Sequence, residues 1–234
     1  TELDFYENWK QKRLNWHLAL GLGQENYRFH DHEKLAHYAN AAADIEFKFP
    51  FGFKELEGIH SRTDFDLGAH EKYSGRKLQY FDPERNETYV PYVVETSIGL
   101  DRMFLALFSH CLKNEVLEDG SERVVLALPP ALAPVKAAIL PLVKKDGLPE
   151  LAEKIFNDLK YDFNIISEEK DSIGKRYRRQ DAIGTPFCIT VDHDSLADGT
   201  VTLRERDTMK QERVKIEDLR KIIDDKVNFR TLLS

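Results

Sequence analysis

Ile45-Glu46-Phe47-Lys48-Phe49-Pro50-Phe51-Gly52-Phe53-Lys54-Glu55-Leu56-Glu57-Gly58-Ile59 is the stretch that decides the fold of the first part of the chain. Ile45, Phe47, Phe49, Phe51 and Phe53 alternate with Glu46, Lys48, Pro50, Gly52 and Lys54. A period of two predicts a strand over 44–60, with a kink at Pro50–Gly52. The same alternation carries Glu55 and Glu57 onto the phenylalanine face. Burying unpaired carboxylates is costly, so that face is expected to open into a polar cleft. The alternative is that Gly52 shifts the register and leaves both in solvent.

Upstream, residues 5–43 read as helical, with Leu14, His17, Leu18 and Leu35, Tyr38, Ala39 at helical spacing. The break at Gly21-Leu22-Gly23 predicts two helices. Downstream, the pattern predicts a short helix over 64–74 capped by Asp64, strands over 77–82 and 88–97, and a helix over 99–113. In that last helix Leu100, Met103, Phe104, Leu107, Phe108 and Cys111 form a core-facing stripe.

The polar segment 114–123, with Asp119-Gly120, is expected to separate two domains, 1–120 and 121–234. Beyond it, the apolar run 135–143 reads as a strand buried on both faces. An amphipathic helix follows (Leu148, Leu151, Ala152, Ile155, Phe156, Leu159), then strand 163–167, helix 172–182, strand 186–192, strands 200–206 and 211–216, and helix 217–226. This order predicts an α/β domain with a mostly parallel sheet. The Asp198-Gly199 turn predicts antiparallel strands at its end.

The 234 residues fit one large domain or two small ones. With 41% apolar residues, 14 Phe and 9 Tyr, general disorder is excluded. No apolar run approaches the ~20 residues of a membrane span. The opening Thr1-Glu2-Leu3-Asp4 does not resemble a signal peptide, and the missing initiator Met suggests a piece of a longer chain. Cys111 and Cys188 share no short spacing, so a reducing cytoplasm is the expected location. The net charge of −7 is uneven: residues 1–122 carry −8 and residues 123–234 carry +1. That asymmetry suggests two domains with different partners and excludes a globally basic nucleic-acid coat.

Three stretches could carry chemistry. The first is Lys54–Ile59, with its two carboxylates. The second is Glu95-Thr96-Ser97-Ile98-Gly99-Leu100-Asp101-Arg102. Here Glu95, Ser97 and Gly99 share one strand face, and Arg102 lies in the first turn of the next helix. A fork-shaped guanidinium at a helix N-terminus suits phosphate, and Glu95 suits an ammonium group. An Arg paired with Asp101 or Glu95 is the plainer reading. The third is the basic run Lys175-Arg176-Tyr177-Arg178-Arg179 with the loop Arg204-Glu205-Arg206-Asp207-Thr208. Such a run can contact RNA phosphates or a splayed base, or can simply be a solvated helix face. His30, His32 and His37 do not resolve into a metal site, and no metal ligands are expected.

At these residues the sequence resembles the dimeric type of glycyl-tRNA synthetase, a class II aminoacyl-tRNA synthetase. The resemblance is carried by Phe49–Ile59, Arg62-Thr63-Asp64-Phe65-Asp66-Leu67, Leu35–Ala39, Asp44-Ile45-Glu46 and Glu95–Arg102. Downstream, Leu132-Ala133-Pro134-Val135-Lys136 and Gly199–Thr208 resemble that family's anticodon-binding domain. Thr96 stands where many members have Pro. The first two class II motifs are not recognised, which implies the later part of an antiparallel α+β catalytic domain followed by an α/β anticodon-binding domain with a mixed sheet. The resemblance implies ATP contacts for Glu55, Leu56, Gly99, Leu100, Asp101 and Arg102, with Arg102 on the terminal phosphate. It implies a glycine site at Glu95, Thr96, Ser97, Ile98 and Gly99, with Glu57 and Arg62 nearby. Anticodon contacts are expected from Arg178, Arg206, Asp207, Gln211 and Arg213. The implied partners are tRNA(Gly), glycine and ATP with Mg²⁺ as a substrate complex, with no tightly bound cofactor, no membrane, and a homodimer for the whole protein. Such a piece alone is expected to be inactive. A noncatalytic synthetase-like binding subunit, such as a DNA polymerase accessory subunit, is the competing reading. The joint presence of Glu55, Glu95, Ser97 and Arg102 argues against it. The acidic first half disfavours a stand-alone RNA-binding module.

Overall fold

A computed structural model describes residues 1–233. The chain divides into two compact units, Thr1–Ser109 and His110–Ser234.

In the first unit, helix α1 (Glu2–Ala19) precedes strands β1 (Tyr27–Asp31), β2 (Ala41–Phe49) and β3 (Gly52–Ser61). Helix α2 (Phe65–Ser74), strands β4 (Tyr80–Asp82), β5 (Glu87–Tyr89) and β6 (Val94–Ile98), and helix α3 (Leu100–Cys111) follow. The antiparallel sheet has the order β1-β2-β3-β6. Only the first of the two helices expected over 5–43 forms. The second gives way to β1, whose Tyr27–Asp31 pairs with Ala43–Phe47. Cross-strand pairing there outweighs local helix propensity. The expected kink at Pro50 is instead a full reversal: Phe49 pairs with Gly52 across a two-residue loop. Gly52 has φ 102°, a conformation that glycine tolerates best.

A bulge between Ile45 and Glu46 corrects the expected carboxylate face. Ile45 pairs with Glu57 and Glu46 with Glu55, so Leu56 is the extra residue. Glu57 is buried while Glu55 is exposed. One face of the sheet holds Ile45, Ile59 and Phe47. Asp44, Gly58, His60, Glu95 and Ser97 lie on the other face, by alternation and by the pairs Asp44–Gly58, Gly58–Ser97 and His60–Glu95.

α2 forms where expected, but the Asp64 side chain does not cap it. The Asp64 carbonyl instead accepts from Gly68 N at 2.7 Å. The strand expected over 88–97 is broken into β5 and β6 around Pro91, which has no N–H for a ladder. The α3 stripe is only partly covered. Met103 and Cys111 are buried, whereas Leu100, Phe104 and Phe108 stay exposed.

The second unit opens with a hairpin of β7 (Leu112–Val116) and β8 (Glu122–Leu126), so the polar segment expected as a linker is its turn. Strands β9 (Ala137–Pro141), β10 (Ile165–Ser167), β11 (Phe187–Val191), β12 (Thr200–Glu205) and β13 (Gln211–Lys215) form one mixed sheet of order β10-β9-β11-β12-β13. β10, β9 and β11 are parallel, and β12 and β13 are antiparallel as expected, but Asp198-Gly199 ends the helix His193–Asp198 with Gly199 as its left-handed cap, and the β12–β13 reversal lies at 206–210. Helices α4 (Leu148–Leu159), α5 (Ile173–Ile183), α6 (His193–Asp198), α7 (Leu219–Val227) and α8 (Phe229–Leu233) complete the unit. In this unit β7, β8, α6 and the terminal α8 lack a counterpart in the sequence reading. The main core joins Ala137, Ile139 and Ile189 to Leu148, Ile155 and Ile223. On the other face of the sheet, Ala138, Leu140 and Cys188 meet Ile173 and Tyr177. β9 and β11 are therefore buried on both faces. Burial pushes the Cys188 thiol up to about 12, so it packs as an unreactive core residue.

Candidate functional site

The open face of the first sheet leads into the turn between β6 and α3. A pocket of about 490 Å³ is lined there by Glu55, Leu56, Ser97, Gly99, Leu100, Asp101 and Arg102. Seven residues from two separate stretches of sequence thus meet in one place. Arg102 Nη1 donates to the Glu55 carbonyl at 2.5 Å and lies 3.5 Å from its carboxylate. Both side chains are about half exposed (52% and 54%), so the guanidinium is held at one end and open to solvent at the other. The α3 N-terminus adds backbone N–H groups, an arrangement that suits phosphate oxygens.

Beside it, Arg62 Nη1 donates to Glu95 Oε1 at 2.8 Å while its Nε and Nη2 grip Asp66 at 2.5 and 3.0 Å. Its guanidinium also stacks over Tyr38 at 4.1 Å. The hydrogen bond from Arg62 holds the Asp66 carboxyl below its ordinary value. Arg62 therefore anchors Glu95. Thr96 and Ile98 lie on the opposite face from Glu95 and Ser97, so alternation removes them from the pair that can meet a ligand together. Glu57 is turned away too. It accepts from Arg13 at 2.5 and 3.0 Å and lies 2.7 Å from His17 Nε2. Among the described residues, no group of three or more His, Cys, Asp or Glu is arranged to hold a metal ion.

In the second unit a pocket of about 340 Å³ is lined by Gly174, Lys175, Tyr177, Arg178, Arg204, Met209 and Gln211. It gathers Arg178 and Gln211 from the expected anticodon set. Met209, at φ 56°, has its sulfur 4.0 Å from Arg178 Nη1; nothing in the sequence marks that placement.

The arginines of the basic run and loop other than Arg178, and Arg213, make ion pairs or hydrogen bonds within the protein, and Arg206 is buried where an exposed contact residue was expected. Arg206 is buried, donating to the carbonyls of Gly184 and Leu128 at 2.8 and 2.7 Å and to Asp207 at 2.7 and 2.9 Å. Neither it nor Asp207 lines the pocket. Arg176 is buried against the carbonyls of Pro141, Leu142 and Glu168. Arg204 is paired with Asp181 at 2.8 and 3.0 Å, under the Tyr177 ring. Arg179 is taken by Glu168 and Asp171, and Arg213 by Asp192, Thr200 and Thr202. Buried guanidinium groups need their donors satisfied, and among the described residues carbonyls and carboxylates meet most of them here, the Nε atoms of Arg176 and Arg179 excepted.

Comparison with known proteins gives the class first. Residues 136–226 match the anticodon binding domain family. The whole chain is similar to glycine-tRNA ligases. It is 54% identical to that of Chlorobaculum tepidum over 92% of its own length and 46% of the relative's. It is 52% identical to that of Clostridium perfringens over 98% and 50%, and 51% identical to that of Geobacillus kaustophilus over 97% and 50%. The chain spans about half the length of the curated relatives it matches. No helix among the described residues is long and apolar enough to cross a membrane.

Proposed function

We propose that this chain provides part of the class II catalytic domain and the anticodon-binding domain of a glycine-tRNA ligase. The ligase would activate glycine with ATP and transfer it to tRNA(Gly). The observation that carries the reading is the meeting of Glu55, Ser97, Gly99 and Arg102 in one pocket, with the anchored Glu95 on the same sheet face. In the proposed reaction the glycine carboxylate attacks the α-phosphorus of ATP, which is bound with Mg²⁺ as a substrate complex, and pyrophosphate leaves. Arg102 and the α3 N-terminus stabilise phosphate charge, and Glu95 holds the ammonium. Such catalysis is positioning and charge stabilisation, without a protein nucleophile. Glycine offers no side chain to grip, so recognition falls to its ammonium and to exclusion of larger substrates.

The test is glycine-dependent pyrophosphate exchange in the whole ligase. Glu95→Gln keeps the shape and removes the charge, and a charged hydrogen bond is worth about 1.5–3 kcal/mol. Glycine kcat/KM is therefore expected to fall by roughly 10- to 150-fold with ATP KM unchanged. Unchanged glycine kinetics with weakened ATP use would refute the assignment of Glu95.

For the second unit, the pocket around Lys175, Arg178, Met209 and Gln211 is proposed to receive an unstacked anticodon base, with the two cations on its phosphates. Lys175→Ala and Arg178→Ala are each expected to weaken binding of a glycine tRNA to this chain. Each should also flatten the log–log salt slope by about one unit. A salt titration in which both variants match the parent would rule out this surface.

A further inference from the structure

The open face of the first sheet carries imidazoles that the proposed chemistry leaves unused. His60 pairs with Glu95 across β3 and β6, and its Nδ1 lies 3.6 Å from Glu95 Oε1. That nitrogen is buried and has no hydrogen-bond partner among the described residues. One step along β3 is Gly58, opposite Ser97. A Cβ placed on Gly58 would stand 3.0 Å from His60 Cε1 and 3.6 Å from Asp44 Oδ1. The imidazole thus closes the space over the bare backbone of Gly58. It is backed by the His32 ring, edge-on at 5.9 Å, and His32 Nε2 is itself held to Asp44 at 2.9 Å. Arg62 already occupies Glu95 Oε1 on another side.

We propose that His60 is a specificity-determining residue of the amino-acid subsite: its ring fills the room that a substituent on the substrate α-carbon would need. The inference rests on the reading of Glu95 as the partner of the substrate ammonium. An amino acid with its ammonium on Glu95 and its body toward Ser97, at the mouth of the pocket beside Gly58, has its α-carbon against the edge of the His60 ring. A hydrogen is accommodated there, and a methyl meets an imidazole that His32 and Asp44 keep from retreating. The substrate class this admits is an α-amino acid with no side chain.

The experiment compares activation of glycine and of alanine by pyrophosphate exchange in the whole ligase, for the parent, His60→Ala and His60→Gln. One methyl in a fitted pocket is worth about 10- to 200-fold in discrimination. His60→Ala is expected to lower the glycine-to-alanine ratio of kcat/KM by about that factor, with ATP KM unchanged. His60→Gln, which retains bulk, should keep most of the rejection. The proposal is overturned if His60→Ala rejects alanine as well as the parent does, or if His60→Gln admits it equally. Glu95→Gln measured alongside separates the two failures. If it loses glycine use while His60→Ala discriminates normally, the His60 inference alone falls; if glycine use is intact, the reading of Glu95 falls.

Discussion

Asp181→Asn is expected to lower the stability of the second unit by about 3–5 kcal/mol, the scale for breaking a buried ion pair from one side. Asp181 is fully buried on α5 and holds two buried cations. Arg204 donates to both of its oxygens at 2.8 and 3.0 Å, and Arg123 Nη1 donates at 3.1 Å. Arg123 also reaches the Arg206 carbonyl at 2.9 Å, so one carboxylate ties together β8, α5, β12 and the loop after it. Asparagine would retain the volume but leave the buried Arg204 guanidinium without a counter-charge and Arg123 with Glu115 as its carboxylate partner. Against a typical domain stability of about 5–15 kcal/mol, the loss is large. With a urea m-value of about 2 kcal/mol/M, the midpoint should fall by on the order of 2 M. Arg178→Ala, at the rim of the same carboxylate, should move it little, because that side chain is 40% exposed and 3.8 Å away. A variant midpoint equal to that of the parent would show that the network contributes no net stability.

Glu57→Gln should destabilise the first unit on a similar scale, and the effect should depend on pH. Among the described residues, Glu57 is the one carboxylate paired with Arg13 and His17, and it lies at 0% exposure on the α1 side of the sheet. Burial raises its pKa, but hydrogen bonds from His17 and Arg13 outweigh that and hold it below the usual carboxylate value. A folded-state pKa below the unfolded one means that the stabilisation is present above the unfolded value of about 4.3. It is lost as pH falls through the lower folded-state value. The difference between parent and variant should therefore be full, about 3–5 kcal/mol, at pH 7 and should shrink below about pH 4. Unfolding curves at several pH values measure it; a difference that is constant down to pH 3 would contradict the ionised state of Glu57.

The two networks mark the boundary between what the sequence determines and what tertiary structure decides. Local periodicity was enough for the strand through Ile45–Phe49, for α4 with its stripe from Leu148 to Leu159, and for the existence of strands β12 and β13. Those signals are legible because hydrophobic period acts over a few residues. The same holds for the site's raw material: Glu55, Glu95, Ser97 and Arg102 stand out as chemical groups in apolar surroundings. Which way they face is another matter. The bulge at Leu56 leaves Glu55 at the pocket and buries Glu57 beneath the sheet, and one extra residue in a ladder reverses alternation without any mark in the composition. The cationic residues show the same limit. Arg176, Arg204 and Arg206 read as candidates for RNA, yet their partners lie far away in sequence, on Pro141, Asp181 and Leu128. A guanidinium is placed in solvent or in the core according to whether the fold brings acceptors to it. β1 is strand rather than helix for the same reason: β2, ten residues further on, offers a full ladder of backbone partners. The sequence by itself therefore determined most of the elements and the inventory of reactive groups, whereas β1, the β7–β8 hairpin, burial, pairing and orientation were decided by contacts between residues distant along the chain.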